Sequence, residues 1–246
     1  MLDPKTIIRL PQNFKNKFKI FPPSKTEVIG TEEFGMYQKI FTISQEELED
    51  EFVQKGLEIK QVPSPYEYTL ASCYNSAEFL EIFKNAFKFF TKEEITPIFK
   101  VGVFIVGNLE EQLTKAKSAE DLVKFGEEDY FEFQNKIREV IGMSVIEPPN
   151  PNEHPKIRAM KAKARYRDRI KAKKNAGIDL TTIMAAICCM NMGLNPLNIG
   201  DISYASANVL IGQYQAKEKY QLDIDSLLAG ADSKKVIPKY WIQQLD

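Results

Sequence analysis

The sequence predicts a mainly α-helical protein in two parts, and three observations carry that reading. Helix caps recur along the first half, apolar side chains there repeat at helical spacing, and a proline-rich segment divides an acidic half from a basic one. The expected fold is a helical N-terminal domain over residues 1–146 that has room for a short β element, a proline-rich linker over 147–155, and a basic helix with a small helical domain over 156–246. The 246 residues, 43% of them hydrophobic, are enough for one large core or two small ones.

The first elements are read from local chemistry. Residues 10–23 are interrupted by Pro11, Pro22 and Pro23, and Phe18 and Ile20 alternate as in an edge strand. Ser44-x-x-Glu47 is a capping box, with Ile43 and Leu48 placed as a hydrophobic staple. Ser64-Pro65-Tyr66-Glu67 repeats the box with proline at the first helical position, where a missing N–H costs nothing. Thr91-x-x-Glu94 and Ser118-x-x-Asp121 read as two further starts. Phe79, Phe83, Ala86, Phe87 and Phe90 form one apolar stripe, and Tyr130, Phe133, Ile137, Val140 and Ile141 form another that ends before Gly142. Residues 99–106 read as a short buried strand or a core helix segment, with the strand favoured.

In the second half, Asp179 is read as an N-cap, with Leu180, Ile183, Ile187 and Met190 on one face and Gly193 as the stop. Asp201 or Ser203 starts another helix whose Ile202, Ala205, Val209 and Leu210 face inward.

Composition narrows the function classes. Lys plus Arg number 33 against 34 Asp plus Glu, a net charge of −1 that argues against a dedicated polyanion binder. Residues 1–150 carry 18 basic and 25 acidic side chains, and residues 151–246 carry 15 and 9, so the halves stand at −7 and +6. Three cysteines, two of them adjacent, suit a reducing compartment better than a disulfide scaffold. The first residues lack a cationic segment followed by an apolar run, so no secretory signal is expected, and the apolar runs fall below the roughly 20 residues of a membrane span.

No Gly-rich phosphate loop, nucleophile elbow or Cys-x-x-Cys pair with histidines is present, and the single His154 cannot build a multi-histidine metal site. No catalytic residue, metal ligand or cofactor is assigned. The carboxylate runs Glu46-Glu47 with Glu49-Asp50-Glu51, and Glu127-Glu128-Asp129, read as solvated helix faces. Cys188 and Cys189 read as two small buried hydrophobes on a helix, and His154 as an exposed linker residue.

The strongest chemical feature is residues 156–174, where ten cations face one acid, Asp168. Arg165, Arg167, Arg169, Lys171, Lys173 and Lys174 would neutralise phosphates, yet Tyr166 alone is available for stacking. Attraction to the acidic first half, or between two copies of the chain, is the preferred explanation, and nucleic-acid binding the alternative.

A resemblance adds to this. The basic run Lys161-Ala162-Lys163-Ala164-Arg165-Tyr166-Arg167-Asp168 is followed by Leu180-Thr181-Thr182-Ile183, Ile202-Ser203-Tyr204 and Gln213-Tyr214-Gln215-Ala216-Lys217-Glu218-Lys219-Tyr220. Leu228-Ala229-Gly230-Ala231-Asp232 and Trp241-Ile242 then close the chain. This order resembles tail assembly chaperones, the tail-morphogenesis proteins of phages infecting Gram-positive bacteria. The resemblance implies a non-enzymatic, mostly helical protein of the host cytoplasm. Such a protein binds tape-measure and tail-tube proteins during assembly and self-associates. Tyr204, Tyr214, Tyr220, Tyr240 and Trp241 are the expected partner-binding side chains. A virion baseplate or connector component is a further alternative.

Overall fold

The computed structural model describes residues 6, 9–116, 118, 121–148, 150, 152–173, 185, 187–189, 198–232 and 235–239. The chain is mainly α-helical with two small antiparallel sheets. A hairpin of β1 (Gln12–Phe14) and β2 (Phe18–Ile20) precedes α1 (Lys25–Ile29), α2 (Phe34–Thr42) and α3 (Gln45–Gln54). Next come α4 (Pro65–Asn75) and α5 (Ala77–Thr91), then β3 (Ile95–Ile98) and β4 (Val103–Val106). α6 (Leu109–Lys115), β5 (Lys124–Phe125) and α7 (Glu127–Val140) follow, and β4 sits between β3 and β5 in a three-stranded sheet. Two long helices come last, α8 (Pro155–Lys173) and α9 (Tyr204–Leu228).

Local chemistry accounts for most helix starts. Ser44 and Ser64 close capping boxes with Glu47 and Glu67, and Pro65 occupies the first turn of α4. Ser24 and Glu27 close a further box on α1 that the sequence reading passed over. Ser203, one of the two candidates, caps α9 by accepting from the Ser206 N–H at 2.9 Å. Gly142, at φ +74°, stops α7 as expected, and Met143 N–H reaches back to the Arg138 carbonyl at 2.8 Å.

Two expected starts are corrected. Thr91 is the last residue of α5, where its hydroxyl donates to the Phe87 carbonyl at 2.7 Å, and the chain then enters β3. Ser118 and Asp121 hold a turn ahead of β5, in which Asp121 Oδ2 accepts from the Ser118 N–H at 2.9 Å. The Ser118–Asp121 bond is one half of a capping box and here closes a turn, whereas Thr91 donates back to its own helix instead of capping a new one. The strand favoured over 99–106 is half of a hairpin: β4 takes 103–106, while β3 lies ahead of that run and places Pro97 opposite Phe104.

An aromatic core holds these elements together. The Phe133 ring on α7 lies 5.1 Å from Phe41, 5.2 Å from Phe125, 5.5 Å from Phe87, 5.7 Å from Phe14 and 5.8 Å from Phe18. Several of these pairs are edge-to-face, the arrangement that aligns the positive rim of one ring with the negative face of another.

Polar side chains of α7 fix where α2 ends. Tyr130, Gln134 and Arg138, four residues apart, donate to the Ile40, Ile43 and Thr42 carbonyls at 3.2, 2.8 and 2.7 Å. The last carbonyls of a helix lack intrahelical partners, and here a neighbouring helix supplies them. Arg138 also places its charge at the negative end of α2.

Replacing Phe133 with alanine removes the shared neighbour of five rings and should cost about 3–5 kcal/mol in urea unfolding. Phe131→Ala, two residues away on the opposite face at 40% exposure, should change stability by no more than about 0.5 kcal/mol.

Candidate functional site

The basic segment folds as α8 and lies along the acidic α3. On α3, Glu46, Glu49, Asp50 and Val53 stand at i, i+3, i+4 and i+7 and so share a face. On α8, Arg158, Ala162, Arg165 and Arg169 form the matching face, with Ala162 fully buried. Arg158 pairs with Glu49. Arg165 Nε reaches Asp50 Oδ1 at 2.9 Å and its Nη1 reaches Glu46 Oε1 at 3.4 Å. Arg169 Nη2 reaches Asp50 Oδ2 at 2.6 Å.

Glu49 and Asp50 are 1% and 0% exposed, which corrects their reading as a solvated face. Their charge pattern was legible, but burial depended on which helix covers them. Burial pushes the Asp50 carboxyl above its ordinary range, and the Arg165 and Arg169 guanidiniums pull it back only in part. Glu49 Oε2 and Arg165 Nη2 face each other at 3.7 Å, too far for a hydrogen bond, and neither has another partner.

In the second carboxylate run Glu127 and Glu128 are exposed, as read, and Asp129 alone is buried. Asp129 is 6% exposed and lies between Lys15, at 3.2 Å, and Lys17, at 2.5 Å. Burial alone would raise its carboxyl. Lys17, Lys15 and the Gly126 N–H together hold it below the ordinary value.

Of the expected nucleic-acid contacts, Arg165 and Arg169 are therefore committed to carboxylates, and Arg167 points outward and is exposed. The side chains of Lys171 and Lys173, and all of Lys174, lie outside the described residues. His154 is exposed, as read, and also caps α8, since its Nδ1 accepts from the Lys156 N–H at 3.2 Å.

The expected partner-binding residues are scattered. Tyr204 is packed inside the chain, with its ring 5.5 Å from Phe34 and 4.5 Å from the Lys25 Nζ. Tyr214 and Tyr220 lie half-buried farther along α9. Tyr240 and Trp241 lie outside the described residues. The α9 helix runs to Leu228, well past the segment expected, because the chain tolerates Gly212 within it and residues 213–228 contain no proline or glycine. Asp179, Leu180, Ile183, Met190 and Gly193, read as a helix with its cap and stop, lie outside the described residues. Ile187 is helical and fully buried.

Around Tyr204 the two ends of the fold are joined. Ser24 and Ser203 form an isolated β-bridge, Lys25 N–H donates to Ile202 at 3.1 Å, and Tyr204 N–H donates to Pro23 at 3.0 Å. Gly200 packs so closely on Thr26 that a Cβ there would collide with its hydroxyl. Lys25 is 0% exposed and its ammonium has no hydrogen-bond partner among the described residues. Desolvation pushes it down to about 8, and the Tyr204 ring face is the nearest compensation. No sequence signal marks this lysine.

Among the described residues no group of three His, Cys, Asp or Glu is placed to hold a metal ion, and no helix is long and apolar enough to cross a membrane. Cys189 is exposed and Cys188 half-buried, which corrects their reading as two buried hydrophobes. Cys73 is buried, and burial pushes its thiol up to about 12, so it stays protonated and unreactive at neutral pH. A cleft of about 420 Å³ opens between α4 and α7, lined by Tyr66, Tyr130, Phe131, Gln134, Ile146 and Arg158 among others. Its polar groups already serve the fold through Tyr130 and Gln134.

Removing one side of the seam should be costly and removing both sides much less so. Asp50→Ala should destabilise by about 1–3 kcal/mol in urea unfolding, because it leaves Arg169 without a carboxylate while Arg165 keeps Glu46. Asp50→Leu combined with Arg165→Met and Arg169→Met should recover most of that loss.

Lys25→Met should stabilise the protein by about 1–3 kcal/mol at pH 7. In the folded chain Lys25 loses its proton near pH 8, against 10.5 unfolded. The penalty of the lysine is therefore complete below about pH 8 and fades as pH rises toward 10.5. The advantage of the methionine variant, measured by unfolding at several pH values, should shrink over that interval.

Comparison with known proteins finds no matching family model, no matching curated protein and no matching solved structure.

Proposed function

We propose that this chain acts by holding other polypeptides, as a tail assembly chaperone that escorts tape-measure and tail-tube proteins during phage tail morphogenesis. The resemblance over residues 161–242 is one support for this reading. The observation that carries it physically is α9. The helix has 25 residues, a length of about 37 Å. Among its described side chains the buried ones are in the first turn, at Ala205, Ser206 and Ala207. Every described side chain beyond Ala207 is half-buried or exposed, with Leu222 at 64% and Leu228 at 82% exposure. A long helix anchored at one end and carrying exposed leucines suits the capture of another helix by its apolar stripe.

An escort of this kind must cover apolar stripes that would otherwise self-associate, and must later let go. Several modest contacts along a helix meet both needs better than one deep site. The anchoring of Tyr204 against Phe34 and Lys25 leaves Tyr214 and Tyr220, among the described partner-binding candidates, as the tyrosines to take part.

Co-expression with the tape-measure and tail-tube proteins of the same genome tests this reading. The wild-type chain should co-purify with one of them, and Leu222→Ser with Leu228→Ser should lower recovery about tenfold while leaving the thermal midpoint in place. Absence of both partners from the wild-type eluate would remove the reading.

A further inference from the structure

The α8 helix uses only one of its faces on α3. About 180° away, at 100° per residue, lie Lys156, Met160, Lys163 and Arg167, spaced i, i+4, i+7 and i+11. All four are exposed, Met160 at 72%. None of the three cations has an ion-pair partner among the described residues, in contrast to Arg158, Arg165 and Arg169 on the opposite side. Ile157 and Ile170, at 51% and 44% exposure, flank this strip. The outward face is therefore cationic along its middle and apolar at Met160 and its margins.

The inward face shows what such a surface accepts. It is covered by α3, an acidic helix whose Glu46, Glu49 and Asp50 meet arginines while Val53 lies on the same face. We propose that the outward face of α8 binds a second acidic amphipathic helix, supplied by a partner polypeptide, with its carboxylates on Lys156, Lys163 and Arg167 and its apolar side chains on Ile157, Met160 and Ile170. This rests on the reading of the chain as a polypeptide-holding protein and names one surface and one partner chemistry for it.

Charge complementarity selects the occupant. A nucleic-acid backbone would satisfy the three cations but leave the exposed methionine and isoleucines against phosphates and sugars. Tyr166, the one aromatic on α8, is half-buried, and a single partly covered ring offers a poor stacking platform. An acidic helix satisfies both kinds of side chain at once, over the ~16 Å between Lys156 and Arg167.

The test uses the full-length chain and a fluorescein-labelled synthetic helix built on Glu and Leu heptads. A scrambled peptide of the same composition and a DNA duplex of equal charge serve as probes for comparison. The helical peptide should bind, with an affinity that falls as salt rises. Lys156→Glu with Lys163→Glu and Arg167→Glu should weaken it by more than about tenfold, and Ile157→Gln with Met160→Gln by about threefold or more. These positions are exposed and tolerate helix-forming replacements, so circular dichroism and the thermal midpoint should not change.

The proposal is overturned if the helix fails to bind the wild-type chain, if the scrambled peptide or the duplex binds as tightly, or if the charge reversals leave binding intact. Loss of dimerisation by the same reversals would assign the face to a second copy and overturn it too. Co-purification of tape-measure or tail-tube protein through α9 would be untouched by any of these outcomes, so this inference can fail without the functional reading failing.

Discussion

Glu49 and Asp50 are adjacent carboxylates on a helix that faces the interior, and neither could be buried there alone. A desolvated carboxylate is tolerable only with a paired cation or a bound proton. Arg158, Arg165 and Arg169 supply the cations, each from the same side of α8. The basic helix therefore has one position along α3 in which every inward charge meets its opposite.

A seam of this kind confers position more than stability. Asp50 remains above its ordinary carboxylate range even with two arginines beside it, so desolvation outweighs what the pairing returns at that residue. Glu49 Oε2 and Arg165 Nη2 lack hydrogen bonds altogether. Favourable energy comes instead from the aromatic core around Phe133 and from the satisfied carbonyls at the end of α2. The division is physically sensible: non-directional apolar burial supplies cohesion, and directional charge pairs choose one arrangement among many that would bury similar area.

Lys25 illustrates the reverse case, a charge without a carboxylate. It sits where residues 23–25 meet residues 202–204 through backbone hydrogen bonds, and only the face of Tyr204 compensates its ammonium. That junction anchors the start of α9, and toward the other end of the helix Leu222 and Leu228 are exposed. The functional reading follows from this asymmetry. One end of a long helix is held by the fold, Leu210 and Ile211 pack against the cluster of Ile187, Ile199 and Ala207, and Leu222 and Leu228 farther along are exposed.

Short-range chemistry was legible in the sequence because it depends on residues three or four apart. The Ser44 and Ser64 boxes, the stripes through Phe83 and Phe133, the stop at Gly142 and the cap at Ser203 all follow from local spacing. Attraction between the acidic and basic halves was also readable, since net charge is a sum over residues. Which carboxylates would be buried was not readable, because Glu49 and Glu47 look alike until a second helix covers one and leaves the other at its rim. The same limit hid Lys25, whose neighbours in space come from nearly 180 residues away. It also sent Thr91 and Ser118 to helix starts when their bonds close a helix end and a turn. The sequence by itself determined the helices and the sign of the forces between the two halves. Only the tertiary structure decided which charges lost their water, because desolvation is a property of what packs around a side chain and not of the side chain itself.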